Sequence, residues 1–258
     1  MKKIVLFTIA AISSVFAFAK SNEELLKSAE EQTAFYGRDF KANYSIVQEK
    51  PGQGKSNTEA IMYRRDDESK WVILVQGPEK ERGKGYLQFD NTIWFFDPVD
   101  RRFTFTSAKD KFQGSNANNS DFTPQHYYRD YKIEAVEKVK LGKFDCTLFT
   151  LKAKTDNVDY PMLKIWVTDD GLVRKKEDYS LSGQLLRTTA VPSYQKVMEE
   201  GKEINVPSKM LITDNLRGKK IGDKVKYERT QVTVTNVSFA PQAATVYTKQ
   251  YLEMMSAK

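Results

Sequence analysis

The spacing of apolar residues changes once along this chain. Near the start, Leu25, Leu26 and Ala29 recur at the spacing of one face of an α-helix, behind a serine and a glutamate at capping-box distance. This pattern predicts one amphipathic helix over residues 22–36. From residue 40 onward the period shortens to two, which is typical of β-strands.

The strand signals continue almost to the end of the chain. Predicted strands cover residues 40–47, 60–63, 71–75, 85–89, 93–96, 102–106, 131–139, 146–152, 163–167, 173–181, 185–191, 207–211 and 224–239. Turn residues separate them at 90–92, 97–100, 169–171, 199–202 and 217–220, and residues 247–255 could form a final short helix.

The short turns determine how these strands pair. Parallel strands need crossovers of about a dozen residues, so turns this short indicate antiparallel neighbours. A sheet of about ten strands tends to curl. We therefore predict a mainly β fold: a curved antiparallel sheet that forms an incomplete, half-open β-barrel covered by the N-terminal helix and by loops.

The alternation stops between residues 112 and 126. This stretch is small, polar and rich in asparagine. Loops of this length without their own structure are uncommon in compact domains and are often functional or mobile. Two interpretations stay open, a solvated connection and a mobile gate.

The first 19 residues have the features of an export signal. Two lysines precede a short apolar run, and Ala17 and Ala19 form a small-x-small cleavage site. We predict a secretory signal peptide over residues 1–19, cleaved after Ala19, and a single domain over residues 20–258. The run is short for a membrane-spanning helix, which needs about 20 apolar residues, but an uncleaved anchor stays an alternative.

The net charge and the cysteine content narrow the range of possible functions. Removal of Lys2 and Lys3 with the signal lowers the formal charge from +7 to +5. This excess is modest and spread along the chain; it is compatible with anionic lipid surfaces but is not typical of a nucleic-acid-binding protein. Cys146 is the single cysteine, so no internal disulfide can form and stability has to come from the core.

The usual catalytic and metal-binding motifs are missing from the sequence. With one histidine, His126, and one thiol, neither a multi-histidine metal site nor a cysteine-rich zinc site can be built. We therefore predict no metal, no cofactor and no enzymatic activity. A hydrolase built on Ser120, Asp121 and His126 stays a minor alternative, because catalytic triads are recognised by spatial arrangement and not by sequence proximity.

The aromatic content points to apolar binding. The chain has 15 Phe, 13 Tyr and 3 Trp, and many of them fall between residues 71 and 105. A sheet with one solvated face should alternate, whereas these strands carry apolar residues on both faces. Either one face packs under the helix and the other under loops or a partner, or the concave face lines a ligand cavity. The candidate cavity residues are Trp71, Ile73, Val75, Leu87, Phe89, Trp94, Phe96, Phe103 and Phe105.

The same stretch resembles a known family. Residues 84–87, then 91–98 with Trp94 and Pro98, then Arg101, Arg102 and Ser107 are similar to the core signature of the outer-membrane lipoprotein-sorting proteins, the LolA-like group. A following Gly-Ser-Asp-Phe motif is stretched here, with residues 114–116 separated from residues 121–122 by an asparagine-rich insertion. The resemblance spans most of the mature chain.

The resemblance implies an incomplete β-barrel whose helices cover an apolar cavity, and a periplasmic carrier or chaperone that shields acyl chains during transfer toward the outer membrane. The implied ligands are lipoprotein acyl chains or phospholipid, and the implied partners are an inner-membrane transporter and an outer-membrane acceptor. A lipid-sensing or transporter-accessory module is the alternative. In either case the helix would be a lid and the loop a gate, through Leu25, Leu26, Ala29, Phe112 and Phe122.

Overall fold

The computed structural model describes residues 20–89 and 92–256, so the predicted signal peptide and residues 90 and 91 of a predicted turn lie outside the described residues. The helices are α1 (Asn22–Glu31), α2 (Tyr127–Asp130) and α3 (Lys249–Ser256). The strands are β1 (Asp39–Lys50), β2 (Gly54–Arg65), β3 (Lys70–Gly77), β4 (Gly85–Phe89), β5 (Thr92–Asp97), β6 (Arg102–Thr106), β7 (Tyr131–Leu141), β8 (Phe144–Ala153), β9 (Met162–Val167), β10 (Val173–Tyr179), β11 (Leu185–Glu199), β12 (Lys202–Ile221) and β13 (Lys224–Ser238). Within the described ranges, no helix has the length and apolar character needed to cross a membrane.

All thirteen strands belong to one antiparallel sheet, in the order β6-β5-β4-β3-β2-β1-β13-β12-β11-β10-β9-β8-β7. The first and last strands of the chain pair in the middle of the sheet, with Tyr44 opposite Val234. The two edge strands, β6 and β7, are consecutive in the chain but do not pair, so the barrel stays open. The predicted fold class is confirmed.

Contacts across the inner face show that the sheet curls. Trp71 on β3 and Gln88 on β4 line the same cleft as Tyr131 on β7 and Leu163 on β9, although many strands separate them in the sheet order. We call the concave side the inner face and the convex side the outer face.

Several predicted boundaries differ from the structure. Strand β2 begins at Gly54 and not at residue 60, and β11 continues to Glu199 and not to residue 191. Helix α1 ends at Glu31, before the predicted residue 36, because the chain turns away to let the Phe35 N–H donate to Asp66 Oδ2 at 2.8 Å. Strand β12 runs straight through the predicted turn at residues 217–220. The strand register shifts between Asp214 and Gly218, and pairing with β13 then continues to the end of the hairpin, where Ile221 lies opposite Lys224.

Three apolar clusters stabilise the sheet. On the inner face, one cluster joins β1–β5, β12 and β13 to the loop after β6, and a second joins β7–β10 to α1 through Leu25, Leu26 and Ala29. On the outer face, a third cluster packs β2–β6 against α3 through Leu252. Both faces of β3 are therefore covered, which explains its continuous apolar sequence.

Helix α1 is capped at its start and contacts the sheet at its middle. A capping box forms, with the Glu24 N–H donating to Ser21 Oγ at 3.2 Å and the Ser21 N–H to Glu24 Oε2 at 2.7 Å. Further along, Ser28 lies against the β9–β10 turn, where a Cβ added to Gly171 would be 2.5 Å from Ser28 Oγ. The helix thus lies directly on the turn, and only glycine leaves room for it.

Candidate functional site

The loop after β6 folds back over the inner face of the sheet. We call residues 107–126 the inner loop. Its Phe112 ring lies 4.8 Å from Tyr86 and 5.2 Å from Phe122, and Phe122 lies 5.6 Å from Tyr44. Phe112 and Phe122 are both fully buried. The predicted polar loop is therefore a packed layer inside the sheet, and its action as a gate remains a prediction.

The asparagines of the inner loop explain how a polar segment can be buried. The Asn116 N–H donates to Thr230 Oγ1 at 2.8 Å and to Gln48 Oε1 at 3.1 Å. Asn119 Nδ2 donates to the Ser107 carbonyl at 2.8 Å. Both asparagines are completely buried. These bonds hold the loop in one place, and they offset the burial of Asn116 Nδ2 and Asn119 Oδ1, which have no hydrogen-bond partner among the described residues and cost about 1–3 kcal/mol each.

A buried charge network fastens the inner loop to β10 and β11. Arg187 bonds to Asp121 of the loop and, through Nε at 3.0 Å, to Asp178. Lys176 Nζ lies 3.1 Å from the same Asp178 carboxylate. Burial alone would raise the pKa of Asp121, but the positive charge and hydrogen bonds of Arg187 outweigh it and hold that pKa below its usual range. Two carboxylates and two cations thus balance inside the sheet.

An apolar cavity of about 110 Å³ lies between α1, the inner loop and the inner face. We call it the inner cavity. Most of its wall is aliphatic or aromatic, and the polar exceptions include Arg64, Asp121 and Lys176. The apolar side chains that line it are Ala29, Phe35, Phe40, Tyr44, Phe122, Tyr127, Val173, Val191, Tyr194, Val206, Pro207, Met210 and Val234.

Arg64 closes one side of the inner cavity. Its guanidinium donates to the Thr33 carbonyl at 3.0 Å and to Asp66 Oδ2 at 2.6 Å. It also lies over the rings of Phe35 and Phe40, 4.8 and 5.7 Å from their centroids. One buried cation therefore holds the segment that follows α1 against β1 and β2.

A wider, polar cleft of about 410 Å³ adjoins the inner cavity. We call it the outer cleft. Lys176, Gln125, Thr123 and Tyr127 line both spaces, so the two spaces are neighbours with a shared wall. Solvent-facing residues of the outer cleft include His126, Arg129 and Asp159.

The geometry of the outer cleft bears on the hydrolase alternative. His126 Nδ1 faces Glu30 Oε1 at 3.9 Å, while the Asp121 carboxylate is taken by Arg187. Glu30 also accepts the N–H groups of Tyr128 and Arg129 at 2.7 and 3.0 Å. Burial would raise the pKa of Glu30, but these bonds and His126 lower it overall. Ser120, Asp121 and His126 are not arranged as a triad.

The structure divides the nine residues proposed to line the cavity. Trp71, Ile73 and Val75 lie on the inner face, and Trp71 lines the outer cleft. Four others lie in the outer-face cluster under α3: Leu87, Phe89, Phe96 and Phe103. Trp94 and Phe105 pack in a tilted arrangement, with ring centroids 4.1 Å apart, beside Lys249 of α3. The nine are therefore not brought together, and their binding of a ligand remains a prediction.

Two of the five lid and gate candidates line the inner cavity, and the lid and gate roles remain predictions. Ala29 and Phe122 line the inner cavity, Phe112 packs behind Phe122, and Leu25 and Leu26 anchor α1 to β7–β10. Sequence reasoning missed the aliphatic wall on β11–β13, including Val191, Val206 and Val234. The alternating apolar residues of these strands were visible in the sequence, but the aromatic residues between 71 and 105 were the stronger indication of a ligand cavity.

The comparisons with known proteins agree with this architecture. A family model described as an uncharacterized protein matches residues 67–254, well over half of the chain. The chain belongs to this family and has a LolA-like fold. No protein of curated function matches it in sequence.

Three solved structures show the same fold. A LolA superfamily protein from Nitrosomonas europaea has 20% identity and a TM-score of 0.71, with 90% of this chain and 100% of that chain covered. A putative outer membrane lipoprotein-sorting protein domain from Vibrio parahaemolyticus has 16% identity and a TM-score of 0.75, with 90% and 97% covered. A DUF1329 family protein from Desulfovibrio piger has 16% identity and a TM-score of 0.72, with 88% and 97% covered. The LolA-like comparison thus extends over nearly the whole described chain.

Proposed function

We propose that this protein is a periplasmic carrier that shields the acyl chains of lipoproteins or phospholipids on their way toward the outer membrane, with no catalytic role. The observation that carries the proposal is the inner cavity, an apolar space between α1 and the concave face of a LolA-like sheet. Structural likeness to a lipoprotein-sorting protein domain supports it.

The physical need for such a cavity follows from the cost of exposing hydrocarbon. Each CH₂ group in water costs about 0.8 kcal/mol, so a 16-carbon chain resists leaving a membrane by on the order of 10 kcal/mol. A carrier has to offer a dry surface of similar extent. The side chains around the inner cavity are of the right kind, since apolar ligands bind among aliphatic and aromatic groups with few polar ones.

The size of the inner cavity implies that something opens. Its volume is about 110 Å³, whereas pockets for ligands of moderate size are about 300–1,000 Å³. A whole acyl chain would enter only after α1 or the inner loop has moved. Carrier function therefore requires a lid.

The contacts of the two elements favour α1 as that lid. Leu25 and Leu26 are the large side chains that α1 buries, and exposing both costs about 4 kcal/mol. The inner loop buries two phenylalanines and the Asp121–Arg187 pair, and breaking a buried pair alone costs about 3–5 kcal/mol. We propose that α1 moves and that the inner loop stays as the floor of the enlarged cavity.

The charged groups at the edge of the inner cavity favour one orientation of a bound lipid. Lys176 lines both the inner cavity and the outer cleft. A chain with its apolar end under α1 would place its polar end in the outer cleft, where hydrogen-bonding groups and water are available. This arrangement keeps the ester or amide groups of a lipid solvated while the hydrocarbon is buried.

The first test is mass spectrometry of lipid extracted from the purified protein, followed by transfer of fluorescent phospholipid between vesicles. The lid is tested by Ser28→Cys with Gly171→Cys, in a Cys146→Ser background. The Cβ position of residue 171 lies 3.3 Å from Ser28 Cβ, close to the spacing of about 3.5–4.5 Å in disulfides. The oxidised protein should not take up lipid.

The same double variant supplies its own control. Reduction with dithiothreitol should restore uptake, because the oxidised and reduced forms share the strain of Gly171→Cys and differ only in whether α1 is tethered. If the oxidised and reduced forms take up lipid at the same rate, α1 is not the lid. If no lipid is bound in either form or by the parent protein, the carrier proposal fails.

A lipid-sensing or transporter-accessory module is the second candidate, and the position of Asp121 favours it, because this partner of Arg187 lines the inner cavity. In a sensor, lipid would displace the Asp121–Arg187 contact and change the surface offered to a membrane protein. Stoichiometric lipid binding without transfer between vesicles would support a sensor over a carrier.

A further inference from the structure

The β12–β13 hairpin carries an exposed arm beyond the body of the sheet. Residues 216–226 are all exposed, whereas Ile212 and Thr230 nearer the body are buried. We call residues 216–227 the basic hairpin. Cross-strand pairing runs to its tip, with Ile221 opposite Lys224, so the arm is a regular two-stranded ribbon.

The expectation that the positive charge is spread along the chain is wrong, because most of the net charge of the mature chain lies in this arm. The basic hairpin holds five basic residues and a single acidic residue, Asp223. Among the described residues, Arg217 has weak ion pairs with Asp214 and Glu228 at 3.7 and 3.9 Å. No ion pair in the described part of the chain includes the four lysines, which are Lys219, Lys220, Lys224 and Lys226.

The strand register places like charges against each other. Lys219 lies directly opposite Lys226, and like charges in that position destabilise a strand pair. Lys219 also leans over the β1–β2 turn, with Nζ 2.9 Å from the Cβ position of Gly52. That turn is flanked by Lys50 and Lys55. Lys55 has a weak ion pair with Glu49 at 3.9 Å, so the uncompensated positive charge at this end of the sheet comes mainly from the four hairpin lysines.

Exposed apolar side chains are interspersed with the lysines. Leu216 is 56% exposed, Val225 54% and Ile221 38%. Pairing puts Ile221 on one face of the ribbon with Lys219 and Lys226, and Val225 on the other face with Lys220. Apolar side chains among basic ones fit the interface of an anionic membrane, where the apolar groups enter between headgroups and the ammonium groups meet phosphates.

We propose that the basic hairpin docks the protein on the surface of an anionic phospholipid bilayer. The inference goes beyond the carrier function and does not depend on lipid entering the inner cavity, because the hairpin has its own charges and apolar groups. Each lysine that reaches the surface should strengthen binding about fivefold.

The experiment is sedimentation of the full mature chain with vesicles of phosphatidylcholine containing about 30% phosphatidylglycerol, compared with pure phosphatidylcholine. The variant replaces the four hairpin lysines, Lys219, Lys220, Lys224 and Lys226, with glutamine. Its matched control replaces four exposed lysines elsewhere, Lys80, Lys109, Lys143 and Lys202, with glutamine and so has the same net charge. We expect the hairpin variant to bind anionic vesicles at least about 20-fold more weakly and the control to bind almost as the parent does.

Three outcomes would overturn the proposal. One is equal weakening in the two quadruple variants, which would mean that net charge and not the hairpin matters. Another is equal binding of the parent to neutral and anionic vesicles, and the third is no binding to vesicles but capture by an acidic protein. Lipid content of the same variants, measured by mass spectrometry, reports separately on the inner cavity, so failure of docking and failure of carriage remain distinguishable.

Discussion

Arg187 on β11 and Asp121 in the inner loop form a two-point ion pair, with Nη1 and Nη2 at 2.8 and 2.5 Å from the two carboxylate oxygens. Their side chains are only 5% and 7% exposed. Arg187 is also the partner of Asp178, which is completely buried. One guanidinium thus bonds to two carboxylates and ties the loop to the sheet, and Lys176, 3.1 Å from Asp178, supplies the second positive charge.

Arg187→Gln should lower the free energy of unfolding by about 3 kcal/mol or more, because it leaves buried carboxylates without their main partner. Urea denaturation followed by tryptophan fluorescence measures this change. Lys196→Gln is the control, since Lys196 pairs with Glu203 at 2.7 Å but both side chains are more than half exposed. That change should cost less than about 1 kcal/mol. Equal losses in the two variants would contradict the role assigned to Arg187.

The inner loop should become less stable in acid. The pKa of Asp121 is held below its ordinary value of 3.8, where burial opposes and Arg187 dominates. The pKa of Asp214, which burial would raise, is likewise lowered by Lys111. A carboxyl group whose pKa is lowered by folding contributes stability above its unfolded pKa, and that contribution is lost as the pH falls through the lowered folded value.

Thermal unfolding between about pH 6 and pH 3 checks this acid sensitivity. The parent protein should lose stability steadily toward pH 3, and Asp121→Asn should start lower at pH 6 but fall less steeply, because one of the titrating groups is gone. Parallel curves for the two proteins would show that Asp121 contributes nothing to the pH dependence.

The contact between α1 and the β9–β10 turn depends on Gly171. It has φ +84°, and an added Cβ would lie 2.5 Å from Ser28 Oγ. Gly171→Ala should therefore cost about 1–2 kcal/mol for the left-handed backbone and more for the displaced helix. Gly183→Ala is the matched control, because Gly183 has φ +80° and nothing within 4 Å of its Cβ position.

Chemical denaturation of both alanine variants measures the two costs. Gly171→Ala should be destabilised more than Gly183→Ala, and the difference reports the contact with α1. If the two variants unfold at the same denaturant concentration, the close contact between α1 and the turn does not contribute to the free energy of unfolding.

The face that binds lipid is tested by one residue on each side of the sheet. Met210 lines the inner cavity, so Met210→Trp should fill it and remove most of the bound lipid. Trp94 lies on the outer face, with Lys249 Nζ 3.3 Å from its ring centroid. Trp94→Ala should cost about 2 kcal/mol of stability through lost contacts with α3 but keep the lipid.

Extraction and mass spectrometry of the two purified variants, with circular dichroism to confirm folding, give the result. Loss of lipid in Trp94→Ala and its retention in Met210→Trp would mean that the outer face binds the cargo.

Much of the secondary structure was predictable because it depends on local periodicity. The helix at residue 22, the strands and the turns at 97–100 and 169–171 were all expected from apolar spacing and turn residues. The continuation of β12 through residues 217–220 was not, because glycine and lysine are poor strand formers. Pairing with β13 across Gly218 and Tyr227 overrides that local preference.

The division of the aromatic strands between two faces depends on register. Alternation shows that Leu87 and Phe89 share a face, and that Ile73 and Val75 share a face. It does not show whether these two faces lie on the same side of the sheet. The pairing puts Leu87 opposite Val72 and Tyr86 opposite Ile73. Leu87 therefore faces α3, while Ile73 faces the inner loop, since a one-residue slip reverses every side chain.

By itself the sequence determined a mainly β chain with one N-terminal helix, because the spacing of apolar residues that distinguishes a helix from a strand involves only residues a few positions apart. Only the tertiary structure decided that the polar segment after β6 is buried and that a cavity lies under α1. Those features depend on contacts between residues far apart in the chain, such as Asp121 with Arg187 and Asn116 with Thr230. Such contacts arise from how the sheet curls, which no local pattern of residues specifies.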